Sequence, residues 1–450
     1  MASAYLSRSV SSSGSNTTAT FSAWVKRTQI SGSDYPRLMS AYQDSGNYTR
    51  VLFRDNDQLE AYTYYQGNTN RLVLRTNRLF RDTTAWYHIV VRFDTTQSTA
   101  DDRCRIYVNG VQETSFASRT NPGQNANLKM NNSGNTYNLA RDGGGGNTFD
   151  GQMAHVHWCD GQSYAPTTFG ETDSNGVWIP KTSPSVTYGT NGFFMKFDND
   201  SNMGLDSSGN GNNLTTTGTI IQNKDTPTNN GTVINKLDRR TNDMTVTNAG
   251  NTGESNASVY TPGTMNLGAD SGKWYWEIKV ASKTGAQDWH MLGIMGQTRR
   301  ENNIYLGQVD YQYSYYGQNG QSYTGGSGSA YGDTYAVGDI IGVAMDLDNN
   351  KLYFHKNGTY QNSGVPTSGS TGTGAISITA ASATDDGFYR PAISYFDSST
   401  KATYQCNFGN GYFGTTKITS AGSNGNGSLF EYDVPTGYYA LNTKNLKVHS

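Results

Sequence analysis

The run VGDIIGVAMDLDNNKLYFHKNG, Val337 to Gly358, alternates apolar and polar residues, breaks at two asparagines, alternates again and stops at Asn-Gly. Ile341, Val343, Met345 and Leu347 fall on one face, and Leu352 and Phe354 continue the pattern after the break. A period of two marks a half-buried β-strand and does not suit an amphipathic helix. Asn349-Asn350 tolerates the left-handed backbone of a tight hairpin, and Asn357-Gly358 is a further turn signal. The bend also opens like a calcium loop, Asp346-x-Asp348-x-Asn350. Its glycine position holds Lys351 and its bidentate-acid position Asn357, so the bend is read as a hairpin turn.

The same period recurs along the chain. FSAWVKRT places Phe21, Ala23 and Val25 together, and WYHIVVRFD places Tyr87, Ile89, Val91 and Phe93 together. RIYVNGVQ turns at Asn109-Gly110, and FDGQMAHVHW puts Ala154, Val156 and Trp158 on one side. GKWYWEIKV sends Trp274, Trp276, Ile278 and Val280 one way and Tyr275, Glu277 and Lys279 the other. No helical period of useful length competes. The prediction is an all-β chain of two concanavalin-like β-sandwich (jelly-roll) domains in series with little helix. The expected boundaries are a first domain at 1–222, a linker at 223–244, a second domain at 245–416, and a C-terminal segment at 417–450 packed on the second domain.

Composition narrows the function. Charged residues make up 16% of the chain, against about 25% in typical domains, and the polarity comes from Gly, Asn, Ser and Thr. A net charge of −2 with 31 Tyr argues against disorder and against nucleic acid as a partner. Arg239-Arg240 and Arg299-Arg300 read as solvated turns. The start, MASAYLSRSV, lacks the apolar core of a signal peptide, and no run of about 18 apolar residues predicts membrane insertion. Cys104, Cys159 and Cys406 are too widely spaced for a disulfide framework or zinc pattern and read as buried free thiols.

Four of these motifs in order, FSAWVKRT, WYHIVVRFDTT, RIYVNG and FDGQMAHVHWCDG, resemble a laminin-G-like, concanavalin-type jelly roll over roughly residues 1–220. GKWYWEIKV, MLGIM, GDIIGVAMDLDNNKLYFHKNG, FYRPAISYF and ATYQCNFG resemble a SPRY domain over roughly residues 245–413. FGETDSNGVWIPK, YGTNGFFMKF, DTPTNN and VPTGYYALNTKNL resemble segments of bacteriophage structural proteins in which a laminin-G-like module precedes a SPRY-like one. That resemblance implies a virion-surface protein, of tail-fibre or capsid-decorating kind, assembled in the host cytoplasm.

Concanavalin-type folds include glycoside hydrolases, which need two carboxyl groups about 5 to 5.5 Å apart in retaining enzymes. Glu171-x-Asp173 and Glu431-x-Asp433 lie beside Gly and Pro turns, and Asp198-x-Asp200 lies in a polar loop, so all read as solvated turn acids. No enzyme is predicted. His155-x-His157 points opposite Val156 and Trp158 and reads as a solvent-facing row without a third zinc ligand. No cofactor is expected; calcium on Asp198, Asp200 and Asp206 is a weak alternative to an Asx-rich turn. IYLGQVDYQYSYYGQNGQSYTGG has the composition of a recognition loop, making Tyr311, Tyr313, Tyr315, Tyr316 and Tyr323 the candidate contact residues. The alternative for them is a strand edge packed on a neighbouring domain or subunit. The expected function is non-enzymatic binding of a host-surface glycan or protein receptor. The alternative is a purely structural capsid-decoration or tail-assembly role, with other virion proteins and copies of itself as partners; a capsule-degrading glycoside hydrolase is a third alternative.

Overall fold

A computed structural model describes residues 4–30, 32, 34–67, 71–237, 244–255, 262–296, 304–397 and 399–450. The pairs Arg239-Arg240 and Arg299-Arg300 lie outside the described residues. The chain is nearly all β and divides into two compact units, Met1–Gln222 and Asn223–Ser450.

In the first unit an eight-stranded antiparallel sheet runs, edge to edge, through Phe116–Thr120, Leu72–Leu79, Gln58–Tyr65, Asn47–Phe53, Arg37–Asp44, Thr136–Leu139, Tyr5–Ser9 and Thr215–Thr217. It faces a six-stranded sheet built on Gly151–Asp160, Thr18–Arg27, Tyr87–Asp94 and Cys104–Val108. Phe21, Ala23, Val25, Ile89, Val91 and Phe93 supply one wall of the core; Val51, Phe53, Leu59, Ala61, Leu72 and Leu74 supply the other. Each larger apolar side chain buried there contributes about 1.5–3 kcal/mol of transfer free energy. The Asn109-Gly110 turn forms as predicted, both residues at positive φ, between Val108 and Val111.

The Gly151–Asp160 strand departs from its predicted alternation. A bulge lies between Ala154 and His157, with His155 in the left-handed region at φ 47°. One extra residue changes the phase. Val156 and Trp158 stay in the core, while Ala154 pairs with Trp24 and moves to the other face with His157. That face is not solvent. His157 is 1% exposed, stacks on Phe194 at 4.0 Å and bonds the Tyr188 hydroxyl at 2.9 Å. Phe169 and Tyr188 help cover this face, so the reading of His155 and His157 as a solvated row is corrected. His88 lies beneath the same cover. Trp178 Nε1 donates to its Nδ1 at 3.0 Å, so its Nε2–H donates to Ser22 at 2.9 Å.

The second unit packs a sheet containing Thr252–Ser255, Ala402–Asn407, Lys273–Lys283, Ile340–Asp346 and Lys351–Lys356 against one containing Arg390–Tyr395, His290–Met295, Gln312–Tyr316 and Gln321–Thr324. The hairpin forms as predicted, with Met345 opposite Leu352, and Ile341, Val343, Met345, Leu347, Leu352 and Phe354 all in the core. Asp346 holds the bend, accepting from Asn349 N and Nδ2 at 3.0 and 2.9 Å and pairing with Lys273 at 3.0 Å.

Two segments flank this sandwich. In the described part of the segment read as a linker, 223–237 and 244, Val233, Ile234 and Met244 are buried and Ile234 bridges Met265. The C-terminal segment lies on the outer face of the larger sheet, where Phe430, Val434, Tyr438 and Ala440 cover Tyr275, Ala344 and Tyr353. Glu277, fully buried between them, accepts from the backbone N–H groups of Glu431 and Tyr432 at 2.9 and 2.8 Å. Both faces of GKWYWEIKV are therefore interior.

Candidate functional site

The outward face of the eight-stranded sheet carries a tyrosine row that register assembles. Tyr42 lies opposite Tyr48, and Tyr48 opposite Tyr64, so three adjacent strands bring one tyrosine each to the same level. Their ring centroids are 6.3 and 5.6 Å apart, with planes inclined by only 17° and 27°. Tyr62, one rung along, is 6.0 Å from Tyr48. All four are half-buried, so part of each side chain reaches the surface. Burial, then the neighbouring Tyr48, raises the Tyr62 phenol above its ordinary value. It stays a neutral donor and acceptor.

Arginines are interleaved with the rings. Arg50 sits opposite Tyr62, places its guanidinium 3.5 Å from the Tyr48 centroid, and is held there by Asp142 at 2.8–3.0 Å. Asp142 also takes Arg37 at 3.5 Å. Arg71, exposed, lies 4.9 Å from the Tyr64 centroid, and Arg141 lies 4.3 Å from that of Tyr5. Such cation–π contacts contribute about 0.5–1 kcal/mol at exposed sites. They also fix the fork of N–H donors beside the rings. The glycine run has its reason here: a Cβ on Gly143 would fall 2.1 Å from Tyr42 Cβ, so only glycine lets this loop lie against the ring. Flat rings with fixed polar donors suit a ligand that has an apolar face and hydroxyl edges, as a sugar does.

This row was not among the residues singled out from sequence. The signal available was AYTYY, where Tyr62 and Tyr64 alternate with Ala61 and Thr63 on the non-core face. The stretch that was singled out is corrected. It is not one loop: two strands, Gln312–Tyr316 and Gln321–Thr324, run through it and carry four of its five tyrosines, Tyr313, Tyr315, Tyr316 and Tyr323. Tyr313 and Tyr315 share a side, as alternation requires, and that side faces the core with Leu292 and Ile294. Tyr315 is fully buried, and its ring centroid lies 4.9 Å from that of Tyr335. Tyr311 is half-buried against the same core, at φ 61°. Tyr316 and Tyr323 lie on the outer face, 5.5 Å apart and perpendicular, Tyr316 buried and Tyr323 half-buried.

The carboxylates of the sequence reading have local duties. Asp206 accepts from Phe194 N, Ser208 N, Ser208 Oγ and Asn212 N at 2.8–2.9 Å, locking the loop that contains it. Asp198 pairs with Lys196 at 2.8 Å, and Asp200 lies in an exposed turn. Among the described residues no three His, Cys, Asp or Glu side chains converge as a metal site would require. Asp173 accepts from Asn175 N and Val177 N within its own turn, while Glu431 accepts from Thr419 N and Asp433 from Ser423 N, tying the 431–433 stretch back to residues 419–423. All three cysteines are buried, and burial pushes their thiols well above the ordinary value.

Two β-sandwiches of binding-module type therefore follow one another along the chain. Residues 2–165 match the family described as Concanavalin A-like lectin/glucanases superfamily, and residues 273–411 match the SPRY domain. The chain thus carries a laminin-G-like, concanavalin-type domain followed by a SPRY domain. It is similar to Ran-binding protein 9 of Danio rerio, 34% identical over 110 residues, which are 24% of this chain and 18% of that protein. The likeness to Ran-binding protein 9 of Homo sapiens is also 34% over 110 residues, covering 24% of this chain and 14% of that one. The matched stretch is less than a fifth of either relative's length. Among solved structures, the SPRY domain of human HERC1 aligns with a TM-score of 0.31 at 14% identity, over 38% of this chain and 96% of its own.

Proposed function

We propose that the chain is a non-enzymatic binding protein whose first domain takes carbohydrate on the Tyr42–Tyr48–Tyr64 row, and that it works at a virion surface. The observation that carries the first part is the row itself: three half-buried tyrosines held in register on an outward sheet face, flanked by arginine guanidinium groups. Large aromatics left accessible at one level are characteristic of recognition surfaces. The virion placement is supported by the phage-like segments at Phe169–Lys181, Tyr188–Phe197 and Val434–Leu446. Retardation of the protein in native gels containing soluble glycans tests the first part. Tyr48→Ala and Tyr64→Ala should abolish it; retardation equal to wild type removes the row from the function. Antibody labelling of intact particles tests the second, and label confined to unassembled protein refutes it.

A protein partner is the second reading. It is favoured by the SPRY domain and by 34% identity to proteins named for binding Ran. Co-purification of a stoichiometric protein with the chain, unaffected by Tyr48→Ala, would select it.

A further inference from the structure

We propose that the carbohydrate taken by the tyrosine row is anionic, a polymer of uronic acids whose carboxylates meet Arg71 and Arg141. This rests on the carbohydrate reading above and names the ligand's charge.

The argument is charge complementarity on one face of one sheet. Asp142 is shared by Arg37 and Arg50, and Glu60 by Arg54 and Arg75, at 2.6–3.5 Å. Each of these carboxylates balances one charge of two. Arg71 and Arg141 make ring contacts and have no carboxylate partner among the described residues. Counting the exposed Asp55 beside Arg54 and the exposed Asp44 at the end of the Tyr42 strand, six arginines on or beside the rows meet four carboxylates. The chain as a whole carries −2, so the excess is a property of this surface and not of the composition.

Geometry gives the excess a use. A guanidinium lying over a ring keeps its N–H fork at the ring margin, where the fork can bind a carboxylate bidentately. One face of Tyr48 and one of Tyr64 are occupied by Arg50 and Arg71, so a ligand reaching the accessible remainder of either ring passes a guanidinium. A sugar ring substituted with a carboxylate satisfies both contacts at once; a neutral sugar satisfies only the first. Single-stranded nucleic acid also combines flat rings with negative charge. It is disfavoured here because the first domain matches a lectin and glucanase superfamily.

The test is affinity electrophoresis of the full chain in gels containing polygalacturonate, dextran or dextran sulfate, with a fluorescent oligothymidine titrated separately. The expected result is strong retardation by polygalacturonate, weak retardation by dextran, and loss of the difference at high salt. Arg71→Ala combined with Arg141→Ala should weaken polygalacturonate binding by about tenfold or more, since each substitution removes a charge-assisted bidentate contact. Both residues are outside the core, and an unchanged melting temperature confirms that the variant folds. Equal retardation by dextran and polygalacturonate, insensitive to the double substitution but lost in Tyr48→Ala, overturns the anionic inference and leaves the carbohydrate reading standing. Retardation by dextran sulfate alone overturns the carboxylate. Tighter binding of oligothymidine overturns the ligand class, and no retardation by any polymer overturns the carbohydrate reading with it.

Discussion

Replacing Glu277 by glutamine should loosen the C-terminal segment from the second sandwich, and the hydrogen bonds say by how much. Oε1 accepts from Tyr432 N at 2.8 Å and from the Tyr275 hydroxyl at 3.0 Å; Oε2 accepts from Glu431 N at 2.9 Å and Asn407 Nδ2 at 3.2 Å. All four partners donate. The tyrosine has little freedom to reverse: Gly358 N donates into His355 Nδ1 at 3.1 Å, so His355 Nε2–H must donate to the Tyr275 oxygen at 2.7 Å. Asn407 cannot flip, because its Oδ1 accepts from Gly409 N and Gly411 N. Whichever oxygen becomes NH2, two buried donors face another donor. At about 1–3 kcal/mol for each unsatisfied buried group, the loss is roughly 2–6 kcal/mol. Urea unfolding reads the total, and hydrogen exchange reads the place. The amides of Glu431 and Tyr432 should exchange at least about thirtyfold faster, since about 1.4 kcal/mol is a factor of ten. Glu277→Gln with an unfolding free energy within about 0.5 kcal/mol of wild type and unchanged exchange at these amides would refute the wiring.

Acid should destabilise both units through neutral buried histidines. Burial pushes His88 and His355 down to about 3, below the unfolded value of 6.5. Their contribution is therefore fully present above pH 6.5 and is lost as pH falls toward 3. By pH 5 each costs about 2 kcal/mol, and urea midpoints that stay level between pH 7 and pH 5 would contradict this. Asp206→Ala should destabilise the first unit by about 2–4 kcal/mol by unpairing the loop donors, while calcium or chelator should not shift wild-type melting; a calcium-dependent shift lost in the variant would restore the metal reading. Gly110→Ala should cost about 1–3 kcal/mol, since φ is 82° and the new Cβ would lie 3.1 Å from the Trp178 ring; calorimetry showing an unaltered first unit would refute it.

Alternation in the chain was enough to determine the sandwiches, because side chains two apart on a strand must share a face and apolar rows must find cover. It identified the hairpin at Asp346–Lys351, the core rows around Phe21 and Trp274, and the pairing of Tyr313 with Tyr315 on one side. Alternation does not say what lies over the second face. Tertiary structure decided that Tyr313 and Tyr315 point inward and that Tyr275 and Glu277 lie under a segment some 150 residues away. The tyrosine row had the same obstacle. Tyr42, Tyr48 and Tyr64 become neighbours only through strand register, and register comes from the packed sheet as a whole. The bulge at His155 is the sharpest case: a single left-handed residue reversed the phase of a strand whose pattern looked regular.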